Sequence, residues 1–408
     1  MEEEPVIPEG MRDILPPDTG QRRAVEAILR RRFEAYGYGE VITPWLEFAE
    51  TLEVAGDDTL AAGYHLWDEQ GRQLMVRTDL TAPMARVAAD RCSDELLPLR
   101  FSYVASAIRL WAPQRGQDGE FVQAGVELLG LHSASADAEA VTLLCDALAS
   151  LGLRDCRVTL GTVAFHRALV DSLGLADGDR AKLLEALADR DYPLLESIAG
   201  KSVLGDSARK ALQRMLELSG TRDSLAQARK LATSPRMEMA IDQLVSVHDL
   251  VEEAGYGDVL TFDFGLFQDL SYYSDLVFEA YAPGVGLPIA SGGRYDGLLA
   301  RFGWDIPAVG FAISLDRLEQ ALDEAGVLPV AAPAPLAFVG GLEQPARAAE
   351  LRRMGWSVAA LPDTAETSSR PRVYRRGNTY WVELADGHSS SGNWRDALKV
   401  LELPQGRA

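Results

Sequence analysis

Cysteine is scarce, with three in 408 residues, Cys92, Cys145 and Cys156. Their odd number and wide spacing exclude a disulfide framework, and buried apolar thiols in a reducing compartment are expected instead. None of the five histidines shows a metal-ligand spacing or a nucleophile partner, so no metal, cofactor or catalytic residue is expected. His248, on an apolar helical face, reads as a satisfied core residue. Long apolar runs are also missing, and none approaches the ~20 residues that a bilayer crossing requires. The start, MEEEPVIPEGMRDILPPD, is acidic and proline-rich, the reverse of a secretory leader, which points to the cytoplasm. Positive charge is in deficit. With 40 basic against 61 acidic residues the formal net charge is −21, which disfavours non-specific binding to a phosphate backbone. A tRNA-binding role would need a local basic patch.

What is present is a chain long and apolar enough, at 47% hydrophobic, to bury more than one core. Asp18 and Thr19 offer a cap for a helix whose face is Val25, Ile28, Leu29 and Phe33, closing at the GYG of 37–39. EVITPWLEF reads as a strand interrupted by Pro44. QLMVRTDL, LRFSYVASAIRL and EFVQAGVELLG read as strands, with helices at Ala82–Ala89 and Ala136–Leu151. From about Thr162 to Glu253 the pattern is almost wholly helical. Strands return at VLTFDFG and DLVFEAYA, followed by the turn PGVGLP and by SGGRYDGLL, whose glycines suggest a tight turn and close backbone approach. Beyond a Pro/Ala linker, the chain gives LAFVG as a strand, Pro345–Met354 as a helix, SVAAL as a strand and RVYRRGNTYWVEL as a hairpin. The sum is an α+β fold, an antiparallel sheet flanked by helices. It divides into residues 1–327, carrying a helical insertion at about 162–253, and a small α/β C-terminal domain, 328–408.

PEGMRDILP, GYGEVITPWLE, RTDLTAP, RLWAPQRGQDGEFVQAGVELLG, LSYYSDLVFEAY and SGGRYDGLL with PAVGFAISLDRL follow one another in the order of the histidyl-tRNA synthetase catalytic domain, which residues 8–322 resemble. The resemblance implies a class II aminoacyl-tRNA synthetase-like fold, with dimerisation supported by the motif around Pro44. Amino-acid activation needs fixed guanidinium groups to hold a carboxylate and a triphosphate in line. Arg109 and Arg317 match the second- and third-motif arginines and are candidate anion-binding residues. Asp79 stands at the family's carboxylate for the substrate α-amino group. Gln123, Glu127, Tyr272 and Tyr273 match the residues that read the amino and imidazole groups, and together with Asp79 are the candidate histidine-binding residues. Two positions depart from the pattern. Where the loop after the second motif carries a phosphate-binding arginine, this chain has Gly119 beside Asp118; where the histidine motif begins with arginine, it has Gln268. A neutral amide cannot replace a cation in bidentate pairing, a loss on the order of 2–4 kcal/mol of transition-state stabilisation, so the activation chemistry is expected to be gone.

Plainer roles stand beside these. Arg109 and Arg317 could be ion-pair partners in an acidic protein, Asp79 a helix cap, and the tyrosines packing residues; Glu127 on an apolar strand calls for a polar partner or ligand. The C-terminal stretch begins like a synthetase anticodon domain, then breaks off into TAETSSRPR and DGHSSSGNW. Its basic spot of Arg370, Arg372, Arg375 and Arg376 is as compatible with a protein contact as with nucleic acid. Taken whole, the chain resembles the regulatory-subunit family of ATP phosphoribosyltransferases, paralogues of that synthetase domain. This implies a non-catalytic subunit of histidine biosynthesis that activates a short-form catalytic partner, forms a dimer within a hetero-oligomer and takes part in feedback by histidine. An active synthetase-like ligase and a stand-alone histidine sensor are the alternatives.

Overall fold

The computed structural model describes residues 7–55, 63–110, 119–173, 175–188, 212, 214–266, 273–329, 335–368 and 371–401. It divides into two compact units, Met1–Pro329 and Val330–Ala408.

The first unit is organised on a nine-stranded sheet. Across it lie Gly39–Glu40, Leu99–Ile108, Glu120–Leu129, Ala308–Ser314, Ala290–Arg294, Leu276–Tyr281, Arg157–Thr162, Leu260–Asp263 and Ser219–Gly220. The middle is antiparallel, as expected, while two pairings toward the margins, Gly39–Glu40 with Leu99–Ile108 and Arg157–Thr162 with Leu260–Asp263, are parallel. Alternation sorts each strand's side chains onto two faces. On one face Ala124, Val126, Leu128, Val309 and Phe311 meet Val25, Leu29 and Phe33 of the helix Asp18–Ala35 and the apolar side of Ala134–Ser150. The other face is left for the candidate site.

Several sequence expectations are corrected at element ends. Asp18 and Thr19 do not cap the first helix: its N-cap is Pro17, with no side-chain cap bond, and Asp18 lies inside the first turn, where a carboxylate still favours the helix dipole. EVITPWLEF gives two short strands, Gly39–Glu40 and Leu46–Phe48, with Pro44 in the irregular stretch between them. The 162–253 region includes the edge strand Ser219–Gly220, and its helices Val163–Ser172 and Pro235–Glu253 share the main core through Phe165, Leu169, Ile241 and Leu244. His248 is buried with its ring 5.8 Å from that of Phe262, the packing role expected. Cys145 and Cys156 are buried, and desolvation pushes their thiols up to about 12 and about 11. No helix among the described residues is long and apolar enough to cross a membrane.

The GGRYDG segment differs most from expectation. Gly292 and Gly293 lie in the strand Ala290–Arg294 and form no turn; Gly297 does, in the turn before the helix Leu298–Arg301. The close approach does hold, because a Cβ on Gly293 would sit 2.5 Å from the Leu276 carbonyl oxygen and 2.7 Å from the Tyr273 ring. Arg294 at the strand's end is fully buried and donates to Asp137, itself fully buried, at 2.6 and 2.9 Å, to Asp296 at 3.0 Å and to the Leu131 carbonyl at 3.1 Å. Gln243 completes the pairing of Asp137 at 2.7 Å.

In the second unit a five-stranded sheet runs Val358–Leu361, Leu336–Val339, Arg372–Arg376, Thr379–Glu383 and Ser389–Gly392. Helices Pro345–Arg353 and Trp394–Leu401 close one core over Phe338, Val373 and Val382. The tail read as breaking off is therefore a strand and a helix. Its signal is polar: Asn393 and Asp396 cap each other's backbone N–H at 3.2 and 3.1 Å, a capping box ahead of the apolar run. Of the basic spot, Arg372 is neutralised by Glu383 at 2.8 Å and Arg376 lies over Tyr374; Arg370 is outside the described residues.

Breaking a buried ion pair strands its partner's charge, which typically costs about 3–5 kcal/mol, whereas removing both charges can be close to neutral. Arg294→Leu should therefore lose about that much stability in urea denaturation, and Arg294→Leu with Asp137→Leu should recover a large part of it.

Candidate functional site

Phe121, Gln123 and Glu127 occupy alternate positions on Glu120–Leu129 and so project from one face. Phe121 and Gln123 help line a cleft of about 180 Å³ together with Arg109, Ser291, Ser314 and Arg317. Arg109 follows directly on the strand Leu99–Ile108; its Nε donates to the Thr78 carbonyl at 2.9 Å and its guanidinium lies 5.0 Å from the centre of the Phe121 ring. Arg317, in the first turn of Leu315–Glu324, donates to the Pro288 carbonyl at 2.9 Å. Neither arginine has a carboxylate partner among the described residues. Main-chain carbonyls position the two guanidinium groups without cancelling their charge, an arrangement suited to an anion. In the same cleft Gln123 Oε1 is buried with no hydrogen-bond partner among the described residues. An orphaned buried acceptor costs about 1–3 kcal/mol, which a ligand donor would recover.

Further along the strand, Glu127 is 2% exposed. It lies across the sheet from Gly310, where a Cβ would come within 1.9 Å of Glu127 Oε2; only glycine leaves room for that carboxyl. The Tyr295 hydroxyl donates to the same oxygen. Burial raises the Glu127 pKa to about 8, against the hydroxyls of Tyr295 and Thr81, and nearby Asp79 adds to the rise. At neutral pH the group is mostly a protonated acid, able to donate as well as accept.

Asp79 accepts from the Ala82 N–H at 3.2 Å in the first turn of Thr81–Arg91, so the capping role is real. Its charge also acts on Glu127 and on the buried Tyr103, which feels Tyr273 too. Asp79, Glu127 and Tyr273 thus gather around Tyr103, next to the cleft that holds Arg109, Gln123 and Arg317. Tyr273 packs its ring over Gly293, and its carbonyl accepts from Arg167 at 2.9 Å. Tyr272, Gln268 and Asp118 lie outside the described residues. Gly119 is described: its carbonyl accepts from the Arg109 N–H at 2.8 Å, and a Cβ there would be 2.8 Å from the Gly10 carbonyl oxygen. The backbone at 119 is pinned, with no room for an arginine aimed into the cleft.

Sequence reasoning did not single out Tyr295 and Tyr103. Tyr295 sits inside GGRYDG, where the glycines drew attention away from the two side chains that bond, and Tyr103 reads as an ordinary core aromatic. Among the described residues, His248, Asp249 and Glu252 bring ligand atoms within 4.8 Å of one another. Arg222, at 2.7 and 3.5 Å from the two carboxylates, already compensates them.

The histidyl-tRNA synthetase family model matches residues 10–318. An ATP phosphoribosyltransferase regulatory subunit from Moorella thermoacetica is 38% identical over 92% of this chain and 97% of its own. The chain belongs to the ATP phosphoribosyltransferase regulatory subunit family. Another member, from Clostridium acetobutylicum, is 33% identical over 78% of this chain and 79% of its own. Among solved structures, an ATP phosphoribosyltransferase regulatory subunit/histidyl-tRNA synthetase from Bacillus halodurans aligns with a TM-score of 0.78 and 30% identity over 91% of this chain and 95% of that one. Histidyl-tRNA synthetase from Nostoc sp. PCC 7120 aligns with a TM-score of 0.75 over 97% and 98% of the two chains, at 19% identity, a likeness of fold alone. The regulatory-subunit family thus shares the class II synthetase fold, and the cleft described above lies in the part of the chain that carries it.

The raised pKa of Glu127 makes stability depend on pH. Below about 4.5 folded and unfolded chains both hold the proton. From there to about 8 only the folded chain does, so stability falls as pH rises, and above that range the loss is complete. Glu127→Gln is neutral throughout. Relative to wild type it should gain up to about 1.4 kcal/mol per pH unit between about pH 5 and pH 8, measured by urea denaturation of both proteins. A difference that does not vary with pH would mean that Glu127 titrates as an ordinary surface carboxylate.

Proposed function

We propose that this chain is a non-catalytic regulatory subunit of ATP phosphoribosyltransferase, acting at the first step of histidine biosynthesis, and that it activates a short-form catalytic subunit and carries part of the feedback by histidine. The observation that carries this reading is the division within the cleft. What supports amino-acid recognition is the orphaned Gln123 acceptor, the protonated Glu127 with its Tyr295 donor, and Asp79 and Tyr273 beside them. Groups suited to transferring an adenylyl moiety are depleted, with Gln268 and Gly119 where the synthetase pattern has arginines.

In this reading the ligand's ammonium meets Gln123 and Asp79, and its imidazole meets Glu127 and the tyrosines, Tyr272 included. Arg109 and Arg317 remain to hold an anionic group. A neutral Glu127 can offer its proton to an unprotonated ring nitrogen or accept from a ring N–H. Feedback requires histidine to favour the inhibited assembly over the active one, a coupling typically of about 1–3 kcal/mol.

Self-association as a dimer within the hetero-oligomer is the second part of the proposal. The small sheet of Leu46–Phe48, Gln73–Val76 and His65–Trp67 places Leu46, Phe48 and Leu66 on one face, each about two-fifths exposed, and Ile42 in the preceding segment is 89% exposed. A cluster of large apolar side chains left in water favours burial against another chain.

Adding the purified chain to a short-form catalytic subunit from the same source should raise its phosphoribosyl-transfer rate, and histidine should reverse the increase. Glu127→Gln should weaken that reversal by roughly tenfold or more in histidine concentration, the size of one lost buried hydrogen bond, while leaving activation in place. An unchanged transferase rate would refute the regulatory reading. Leu46→Glu combined with Phe48→Glu should shift the chain alone from dimer to monomer in light scattering, and a wild-type chain that is already monomeric would refute the dimer.

A further inference from the structure

A second cavity, of about 450 Å³, opens between the helices Val163–Ser172 and Pro235–Glu253 and the start of the strand Leu276–Tyr281. None of its lining residues lines the cleft described above. Much of its polar wall is held in place. Gln243 is bonded to the buried Asp137, His132 to Asp296 at 3.0 Å, Arg167 to the Tyr273 carbonyl, and Ser274 donates its N–H to the Arg294 carbonyl at 2.7 Å. The wall is thus anchored to the Arg294–Asp137 network, and side chains already ordered lose little further freedom when a ligand arrives.

Two charged groups are not used up in this way. Asp275 is only partly exposed. One of its carboxylate oxygens accepts from the Thr162 hydroxyl at 2.9 Å, and the other has no hydrogen-bond partner among the described residues. Burial, reinforced by Asp137, pushes its pKa up against the Thr162 hydroxyl and the more distant charges of Arg294 and His132. Arg236 has a side chain 80% exposed and is only loosely paired, at 4.0 Å, with Asp171, a carboxylate of the same wall that Arg180 holds at 2.8 Å. The same cavity is lined by the apolar Ala164, Ala168, Ala240 and Met239, the last 67% exposed despite its size. A carboxylate with one oxygen unbonded among the described residues, an exposed guanidinium and apolar side chains in one cavity are the elements that would meet a small molecule carrying an ammonium, a carboxylate and a short stem. The cavity volume is within the range of small-molecule sites.

We propose that this cavity is a second small-molecule site, taking a free amino acid or a zwitterion of similar size, with its ammonium on Asp275 and its carboxylate on Arg236. The site stands independently of the function proposed for the first cleft. The segment Tyr273–Asp275 nonetheless joins it to the residues around Tyr103, since Asp275 lines the cavity and Tyr273, held by Arg167, acts on Tyr103.

Met239 provides a reporter. In the full-length protein labelled with ¹³C on the methionine methyls, with the Met239 signal assigned through Met239→Leu, the proteinogenic amino acids are added one at a time at about 10 mM, high enough to register millimolar binding. At least one should shift the Met239 methyl saturably. The shift should persist in Glu127→Gln and should require at least tenfold more ligand in Asp275→Asn and in the exposed-site variant Arg236→Ala, both checked for folding by thermal melting. The amine lacking the carboxylate, and the acid lacking the ammonium, should bind at least tenfold more weakly than the parent amino acid. The proposal is overturned if no amino acid shifts Met239, if the shift survives both substitutions unchanged, if Glu127→Gln abolishes it, or if either half-molecule binds as well as the parent.

Discussion

Glu127 lies where it does because position 310 has no side chain. A carboxyl group set within 1.9 Å of the space a Cβ would fill is possible only over glycine, and once there it is sealed from water by the central strands of the sheet. Everything characteristic of the cleft follows from that burial. The carboxyl holds its proton to about 8, Tyr295 must turn its hydroxyl inward to bond it, and Asp79 is near enough to oppose its ionisation. Tyr273 repeats the arrangement over Gly293. The sheet thus makes room by omission, and the side chains laid over its glycines form a compact polar cluster on a rigid floor. Positioning by a rigid floor, rather than by loops, is what lets a site discriminate among small ligands.

The buried pair Arg294–Asp137 ties this floor to the helices behind it. Arg294 ends the strand that carries Gly293, Asp137 belongs to the helix Ala134–Ser150, and Gln243 brings in Pro235–Glu253. Ser274 bonds the Arg294 carbonyl through its backbone and accepts from Asp296 through its hydroxyl, so the segment beside Tyr273 is fixed by the same network. A network of this kind is unfavourable to bury and strongly destabilising to break. Its value lies in holding one arrangement of sheet and helices, on which the geometry of the cleft depends.

Much of this was legible in the sequence because it is periodic. Strands such as EFVQAGVELLG and LRFSYVASAIRL alternate cleanly and were found within a residue or two, and ordered motifs identified the synthetase-like scaffold and the positions of Arg109, Gln123, Glu127 and Arg317. What escaped was long-range. That Arg294 meets Asp137, or that Tyr295 meets Glu127, depends on residues more than a hundred positions apart, and no local pattern encodes it. The Ser389–Gly392 strand and the helix after it were missed for another reason. Their local signal is an asparagine–aspartate capping box following a run of serines, and polar runs of that kind more often mark loops. Gly119 read as a missing arginine; the contact with Gly10 explains why the position is also closed to a larger residue.

The chain has a class II synthetase scaffold in a family of regulatory subunits, and the proposed reading is that it binds an amino acid without transferring it. Arg109 and Arg317 are present without carboxylate partners among the described residues, while the arginines expected at 119 and 268 are absent. Holding a substrate without stabilising the charge of its transition state gives binding without turnover. The most direct test is ATP–pyrophosphate exchange by the purified chain alone, with magnesium, at saturating ATP and with L-histidine added or withheld. The account predicts that histidine produces no exchange above the histidine-free background. Histidine-dependent exchange at a rate comparable to that of a histidyl-tRNA synthetase assayed alongside would contradict it.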